Sequence, residues 1–206
     1  MMLYLPEKIN DEEQLDELLS RPVNETVEMF RRLEGDIMIL GIAGKIGPSL
    51  ALMAKRASHE AGLDKRIIGV SRFRNKADKE KLENSGIETI SGDLLDTEFL
   101  KSLPAVKNIF FLAGMKFGSE DNLAMTWAVN TYLPALVAET FKKSRIVAYS
   151  TGCVYPFVSP DTGGSVETDD AGPLGEYSQS CLGRERMFEY GSLKNKTNIT
   201  IIRLNY

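Results

Sequence analysis

Short runs of continuous apolar residues alternate along this chain with stretches in which apolar positions return every three or four residues, the pattern of strands and helices in turn. Residues 11–20 carry Leu15, Leu18 and Leu19 at helical spacing, and residues 22–33 carry Val23, Val27, Phe30 and Leu33. They predict two amphipathic helices, with Pro22 in a first turn and Gly35 as a stop. Such stripes usually bury against their own domain, so residues 1–35 read as a helical extension capping a sheet edge or core face. Residues 37–40 are apolar throughout and run into glycine, as a buried parallel strand does before a tight turn. Residues 48–61, with Leu50, Leu52, Met53 and Ala57, then have the spacing of a helix packed on a sheet. Further strands are predicted at 66–70, 87–90, 108–112, 145–149 and 198–204, with helices at 76–84, 121–142 and 177–191. Residues 159–175, rich in Gly, Pro, Asp, Thr and Ser, read as a surface loop placed to cover a substrate.

The chemistry begins at the first glycine turn. Gly41, Gly44 and Gly47 fall three apart between strand and helix, the order a dinucleotide site needs. Lacking a Cβ, glycine permits the tight turn, lets the backbone approach a pyrophosphate, and lets the helix start close to the strand; the helix N-terminus offers free N–H groups. Lys45 and Ile46 lie within this turn. At the end of the second strand, where an NAD site usually places an acid for the ribose 2′-hydroxyl, stand Ser71 and Arg72. A hydroxyl and a guanidinium suit a 2′-phosphate, with Lys45 adding a nearby cation, so NADP is favoured over NAD; solvated surface charge is the other reading. Asp93 and Leu94 follow the third strand, where a carboxylate can accept from an adenine amino group, while Asp96 reads as a cap for the next short helix. Ala113 and Gly114 close the fourth strand with small residues against which a cofactor would lie. Asn130 either ties backbone groups together at the cofactor or is exposed.

Bulk properties narrow the function classes. At 206 residues, 43% apolar and 26% charged, the chain suits one α/β domain with a proper core and no disorder. A formal charge of −4 argues against a nucleic-acid surface. No apolar run approaches membrane-spanning length, and Met1 to Glu7 lacks the parts of a signal peptide, so a cytoplasmic location is expected. The two cysteines, Cys153 and Cys181, are too few and too far apart for a disulfide scaffold or a metal site, and the single histidine, His59, reads as surface or packing.

Four elements taken in order resemble the extended short-chain dehydrogenase/reductase family, whose members include NAD-dependent nucleotide-sugar epimerases and dehydratases. They are Gly41-x-x-Gly44-x-x-Gly47, Gly92-Asp93-x-x-Asp96, Ser150-Thr151-x-x-Val154-Tyr155, and Tyr177 opening a helix with Ser180 three residues on. The resemblance spans residues 36–206. It implies an NAD(P)-binding Rossmann-like doubly wound parallel sheet, strand order 3-2-1-4-5-6, with the cofactor across the carboxyl ends of the strands. By the same resemblance Asp93 would contact adenine, Thr151 would hydrogen-bond the reacting oxygen, and Tyr177 would be the acid/base. A tyrosine does that near neutrality only if its pKa of about 10 is lowered. In the family a lysine four residues later does so; here that position is Cys181. Arg184, one turn further on, and Lys116, in the loop after the fourth strand, are alternative cations. Family members also continue past the sixth strand, so most of a C-terminal substrate lobe is expected to be lacking. Two functions remain open: an oxidoreductase or nucleotide-sugar epimerase/dehydratase with an atypical Tyr-x-x-x-Cys site, acting on a nucleotide sugar or small carbonyl compound, and a catalytically silent dinucleotide-binding module that senses the cofactor or supports a partner. A homodimer is compatible with either.

Overall fold

The computed structural model describes residues 5–116, 118 and 120–205. Met1 to Tyr4, which entered the reading of the leader region, and Tyr206 lie outside them. Among the described residues no helix is long and apolar enough to cross a membrane. Six strands form a parallel sheet in the order β3-β2-β1-β4-β5-β6, flanked by helices in a Rossmann-like arrangement. The chain divides into two compact units.

The first unit runs up to Asp93 and takes in residues 106–112. Its elements are α1 (Glu12–Leu19), α2 (Asn24–Arg32), β1 (Ile37–Leu40), α3 (Gly47–Glu60), β2 (Ile67–Ser71), α4 (Lys76–Asn84), β3 (Glu88–Ser91) and, from the later segment, β4 (Asn108–Phe111). β1 is buried along its whole length because it has a parallel neighbour on each side: Ile37 pairs with Ile67 and Asn108, and Leu40 with Val70 and Phe111. Its apolar cluster joins Ile37 and Ile39 to Ala51, Ala54 and Ala57 of α3, and to Phe30 of α2. Two local expectations are corrected. Pro22 stands before α2 rather than in its first turn, the cap position being Val23. The helix stops at Arg32, not at Gly35, because Leu33 turns extended and packs against the cluster. Gly35, at φ +79°, makes the turn into β1, where a Cβ would stand 2.8 Å from that of Lys107.

The second unit comprises residues 94–105 and 113–205. It contains α5 (Thr97–Ser102), α6 (Leu123–Trp127), a π-helical turn (Ala128–Tyr132), α7 (Leu133–Thr140), β5 (Arg145–Thr151), α8 (Gly175–Asn195) and β6 (Ile199–Leu204). Asp96 caps α5, its Oδ1 accepting from the backbone N–H groups of Glu98 and Phe99. The single helix predicted over 121–142 is instead broken into three by the π turn, which inserts an extra residue into the helical repeat. β5 extends beyond its predicted end to Thr151, because Ser150 and Thr151 pair with Arg203 and Leu204 of β6. The stretch predicted as a loop over 159–175 is one as far as Leu174, with one 3-10 turn, Pro160–Thr162, and Gly175 opens α8.

Candidate dinucleotide turn and proton-transfer site

In the first unit the three glycines answer to different constraints. Gly41 leaves β1 at φ +89°, a conformation that L side chains rarely adopt, and its N–H donates to Val70 O at 2.9 Å. Gly47 opens α3 against the turn: a Cβ there would lie 2.0 Å from Ile42 O. Gly44 is exposed, and a Cβ would be 3.5 Å from its nearest atom, Gly41 O, an ordinary contact. Backbone conformation therefore favours glycine at 41 and packing requires it at 47, while neither demands it at 44. The N-cap position of α3, exposed Ile46, makes no side-chain capping bond, Pro48 lacks an N–H, and no acid stands in the first turn. The first N–H groups and the positive dipole end are thus left to an outside anion. The turn also sits where the strand order reverses, since β1 lies beside β4 and Leu112 N donates to Leu40 O at 2.8 Å.

At the end of β2, Ser71 is partly exposed and Arg72 exposed, as is Lys45 in the glycine turn. The next residue, Phe73, has φ +41° and a ring buried in the apolar cluster. That aromatic anchor holds the loop in a strained backbone conformation, an uncommon one for a bulky residue, and nothing in the sequence pattern pointed to it. Asp93 is exposed and Leu94, its neighbour, is buried.

The second unit assembles the other candidates. Thr151, at the carboxyl end of β5, is buried, and its Oγ1 accepts from Cys153 N at 3.2 Å, leaving its hydroxyl proton to donate. Tyr177 lies in the first turns of α8 and is partly exposed. Burial first, and then the Cys181 thiol at its side, push its phenol well above the ordinary range, while Arg184 pulls the other way. Cys181 is fully buried, and burial raises its thiol too, so the residue at this position is neutral near pH 7. Cys181, Arg184 and Phe188, which follow Tyr177 at i+4, i+7 and i+11 along α8, are all buried. Lys116 sits with its Nζ 6.0 Å from the Tyr177 ring centroid. Ala113 is partly exposed and Gly114 exposed.

Asn130, grouped above with the cofactor-binding residues, is fully buried in the π turn and has both ends of its amide engaged by the protein. Oδ1 accepts from Met115 N at 2.8 Å and from Arg184 Nη2 at 2.9 Å. Nδ2 donates to Met115 O at 2.9 Å and to Ser180 Oγ at 3.0 Å. It ties the loop after β4 to α8 and offers no group to a ligand.

A cleft of about 270 Å³ is lined among others by Gly152, Cys153, Tyr155, Leu174, Ser178 and Asn205. One lining residue, Tyr155, is held by a buried cluster that the sequence reading missed. Glu185, 1% exposed, receives Arg203 Nη2 at 2.8 Å and Nε at 3.1 Å, and Ser150 Oγ at 2.5 Å. Arg203 Nη1 donates to the Tyr155 hydroxyl at 2.6 Å, and its guanidinium lies 4.7 Å from that ring's centroid. Glu185 follows Arg184 on a helix of mixed charge, and no local spacing marks it as buried.

No match is found among curated proteins. Solved structures with the same fold include the UDP-glucuronic acid 4-epimerase from Bacillus cereus in complex with NAD, 22% identical over 82% of this chain and 56% of that one, with a TM-score of 0.66. Another is the UDP-Glc/GlcNAc 4-epimerase from the human pathogen Campylobacter jejuni, 24% identical over 82% of this chain and 52% of that one, with a TM-score of 0.68. The chain thus spans about half the length of these structures. A family model matches residues 37–205, the whole sheet and all the candidate positions, and on that match the chain belongs to the NAD dependent epimerase/dehydratase family.

Proposed function

We propose that this chain binds a nicotinamide dinucleotide and acts as an NAD(P)-dependent oxidoreductase of the nucleotide-sugar epimerase or dehydratase kind. The observation that carries the reading is the cleft in the second unit, whose walls include Gly152 and Cys153, which follow Thr151 in the chain, and Ser178, which follows Tyr177. The family and the substrates named for the B. cereus and C. jejuni enzymes support a UDP-sugar as the occupant.

The glycine turn fits the pyrophosphate, because Gly44 lacks a side chain that the protein's packing would tolerate and the start of α3 is uncapped. Ser71, Arg72 and Lys45 favour a 2′-phosphate, hence NADP(H) over NAD(H), and Asp93 stands as acceptor for the adenine amino group. The bound dinucleotide would take up or return a hydride at the carbon bearing the reacting oxygen. Around that oxygen, the Thr151 hydroxyl donates a hydrogen bond and polarises it, while Tyr177 gives or removes its proton.

The experiment incubates the longest natural chain with NAD(H) or NADP(H) and a panel of UDP-sugars and small ketones, following cofactor absorbance and the sugar by NMR. Turnover is expected, with Tyr177→Phe lowering it at least about a hundredfold, the usual minimum for losing a general acid/base. Cofactor binding with no turnover of any substrate would refute the enzyme reading in favour of a silent dinucleotide-binding module, the role that neutral Cys181 beside a high-pKa tyrosine would suit.

A further inference from the structure

Arg184 is a buried cation of the second unit, only 7% exposed, and three features of the fold hold it. Its Nη1 donates to Tyr149 O at 2.7 Å, and its Nη2 donates to Asn130 Oδ1 at 2.9 Å. Gly114 leaves the space it occupies, since a Cβ there would stand 2.8 Å from Nη2. Both of these acceptors are neutral groups that fix the guanidinium in place, and an arginine does not lose its charge by deprotonation. The neighbouring acid, Glu185, is bonded to Arg203 and Ser150. Tyr177, Cys181 and Arg184 follow one another at i, i+4 and i+7 along one side of α8, with the thiol's position between those of the phenol and the guanidinium, and both act on the phenol.

We propose that Arg184 is a positioning residue for proton transfer at Tyr177, its buried charge acting across Cys181 to stabilise the phenolate. This rests on the reading of Tyr177 as the acid/base. The proton alone moves, between the Tyr177 oxygen and the substrate oxygen, and Arg184 keeps its own. Other charged and titratable groups face the site or its helix. Cys153, on the turn after β5, opposes ionisation of both Tyr177 and Cys181. Lys116 approaches the Tyr177 ring from the exposed loop, where solvent screens it more than a buried charge is screened. Glu176, in the same first turn, accepts from Trp127 Nε1 on α6 at 2.5 Å. Tyr149 on β5 is itself pushed up by burial. Arg203 on β6 is taken by Glu185, and Glu139 on α7 by Lys194 and Asn195. Among these, Arg184 combines burial, a fixed position and the favourable sign.

The test replaces Tyr177 by 3,5-difluorotyrosine, whose more acidic phenol brings the ionisation into an accessible range, and follows its fluorine resonance against pH without cofactor or substrate. Arg184→Gln keeps an N–H donor for Tyr149 O but no charge. It is expected to raise the midpoint by at least about one pH unit, roughly tenfold in the ionisation constant. Arg184→Lys should hold most of the wild-type value, and adding Cys181→Lys to Arg184→Gln should bring the midpoint back down. An unchanged midpoint in Arg184→Gln, or one that the second substitution fails to lower, overturns the proposal. Should Arg184→Gln not fold, Gly114→Ala displaces the guanidinium without removing it, and an unmoved midpoint there overturns the proposal equally. Turnover is scored separately. A wild type without turnover defeats the oxidoreductase reading while the fluorine titration still decides the role of Arg184; a wild type that turns over, with an Arg184→Gln variant of unchanged kcat and pH profile, defeats this proposal alone.

Discussion

Among single side chains, the glycines show how equal letters carry unequal demands. In the sequence Gly41, Gly44 and Gly47 are three matching positions of one motif. In the fold, Gly47 has no room for a methyl group, because the first turn of α3 is pressed on the Ile42 carbonyl at what would be 2.0 Å. Gly44 has room. Gly47→Ala is therefore expected to destabilise the protein by about 3 kcal/mol in urea unfolding, the upper end for overpacking against a part that cannot yield. Gly44→Ala is expected to leave stability within about 1 kcal/mol and even to raise it, since alanine restricts the unfolded chain. It should nonetheless weaken dinucleotide binding, read by titration calorimetry, because its methyl group occupies the approach to the pyrophosphate. Equal binding by Gly44→Ala and wild type would remove the pyrophosphate from this turn.

Elements behave less locally than their patterns suggest. Residues 121–142 have a helical pattern throughout, and nothing in it signals the π turn at Ala128–Tyr132. That turn carries Asn130, which bonds Met115, Ser180 and Arg184 from a fully buried position. Asn130→Ala would leave the Met115 N–H and O, the Ser180 hydroxyl and a guanidinium N–H to find other partners inside the protein. A loss of about 3 kcal/mol or more is expected from unfolding curves, since each orphaned buried group costs roughly 1–3 kcal/mol. Hydrogen exchange at the Met115 amide should rise by far more than at β1. Uniform acceleration across the sheet would show that Asn130 contributes only to global stability and does not hold this loop. The same logic explains the early stop of α2, where burial of Leu33 on the core cluster outweighs continuing the helix.

For the molecule as a whole, dinucleotide binding should appear as linkage. A cofactor present at a hundred times its Kd stabilises the folded state by about 2.7 kcal/mol, which for a chain of this size raises Tm by roughly 5–10 °C. NADP(H) is expected to give the larger shift at equal concentration, and Arg72→Ala to cut its affinity about tenfold while sparing NAD(H), as loss of a charge-assisted bond does. A wild type shifted equally by both would refute the 2′-phosphate role of Ser71 and Arg72; no shift with either would refute dinucleotide binding. The same comparison is best made on the longest natural chain, because this one spans only about half the length of the epimerase structures it resembles.

Element order, the run of buried parallel-type strands and the glycine turn at the carboxyl end of β1 were legible in the letters alone, while the family was visible only as a resemblance carried by four motifs in order. The first three rest on periodicity and backbone sterics within a few consecutive residues: an apolar run ending in glycine, or apolar positions three and four apart, means much the same wherever the chain goes next. The folded chain was needed to show that Gly44 is free of internal constraint, that Asn130 serves the protein and not a ligand, that Phe73 anchors the loop of Arg72, and that Glu185 is buried under Arg203. Each depends on contacts between residues far apart in sequence, such as Gly114 with Arg184 or Ser150 with Glu185. The charge of Arg184 was visible as a letter, but its effect on Tyr177 depends on burial and on what lies between them, and those are set only when α8 packs against β5 and the π turn.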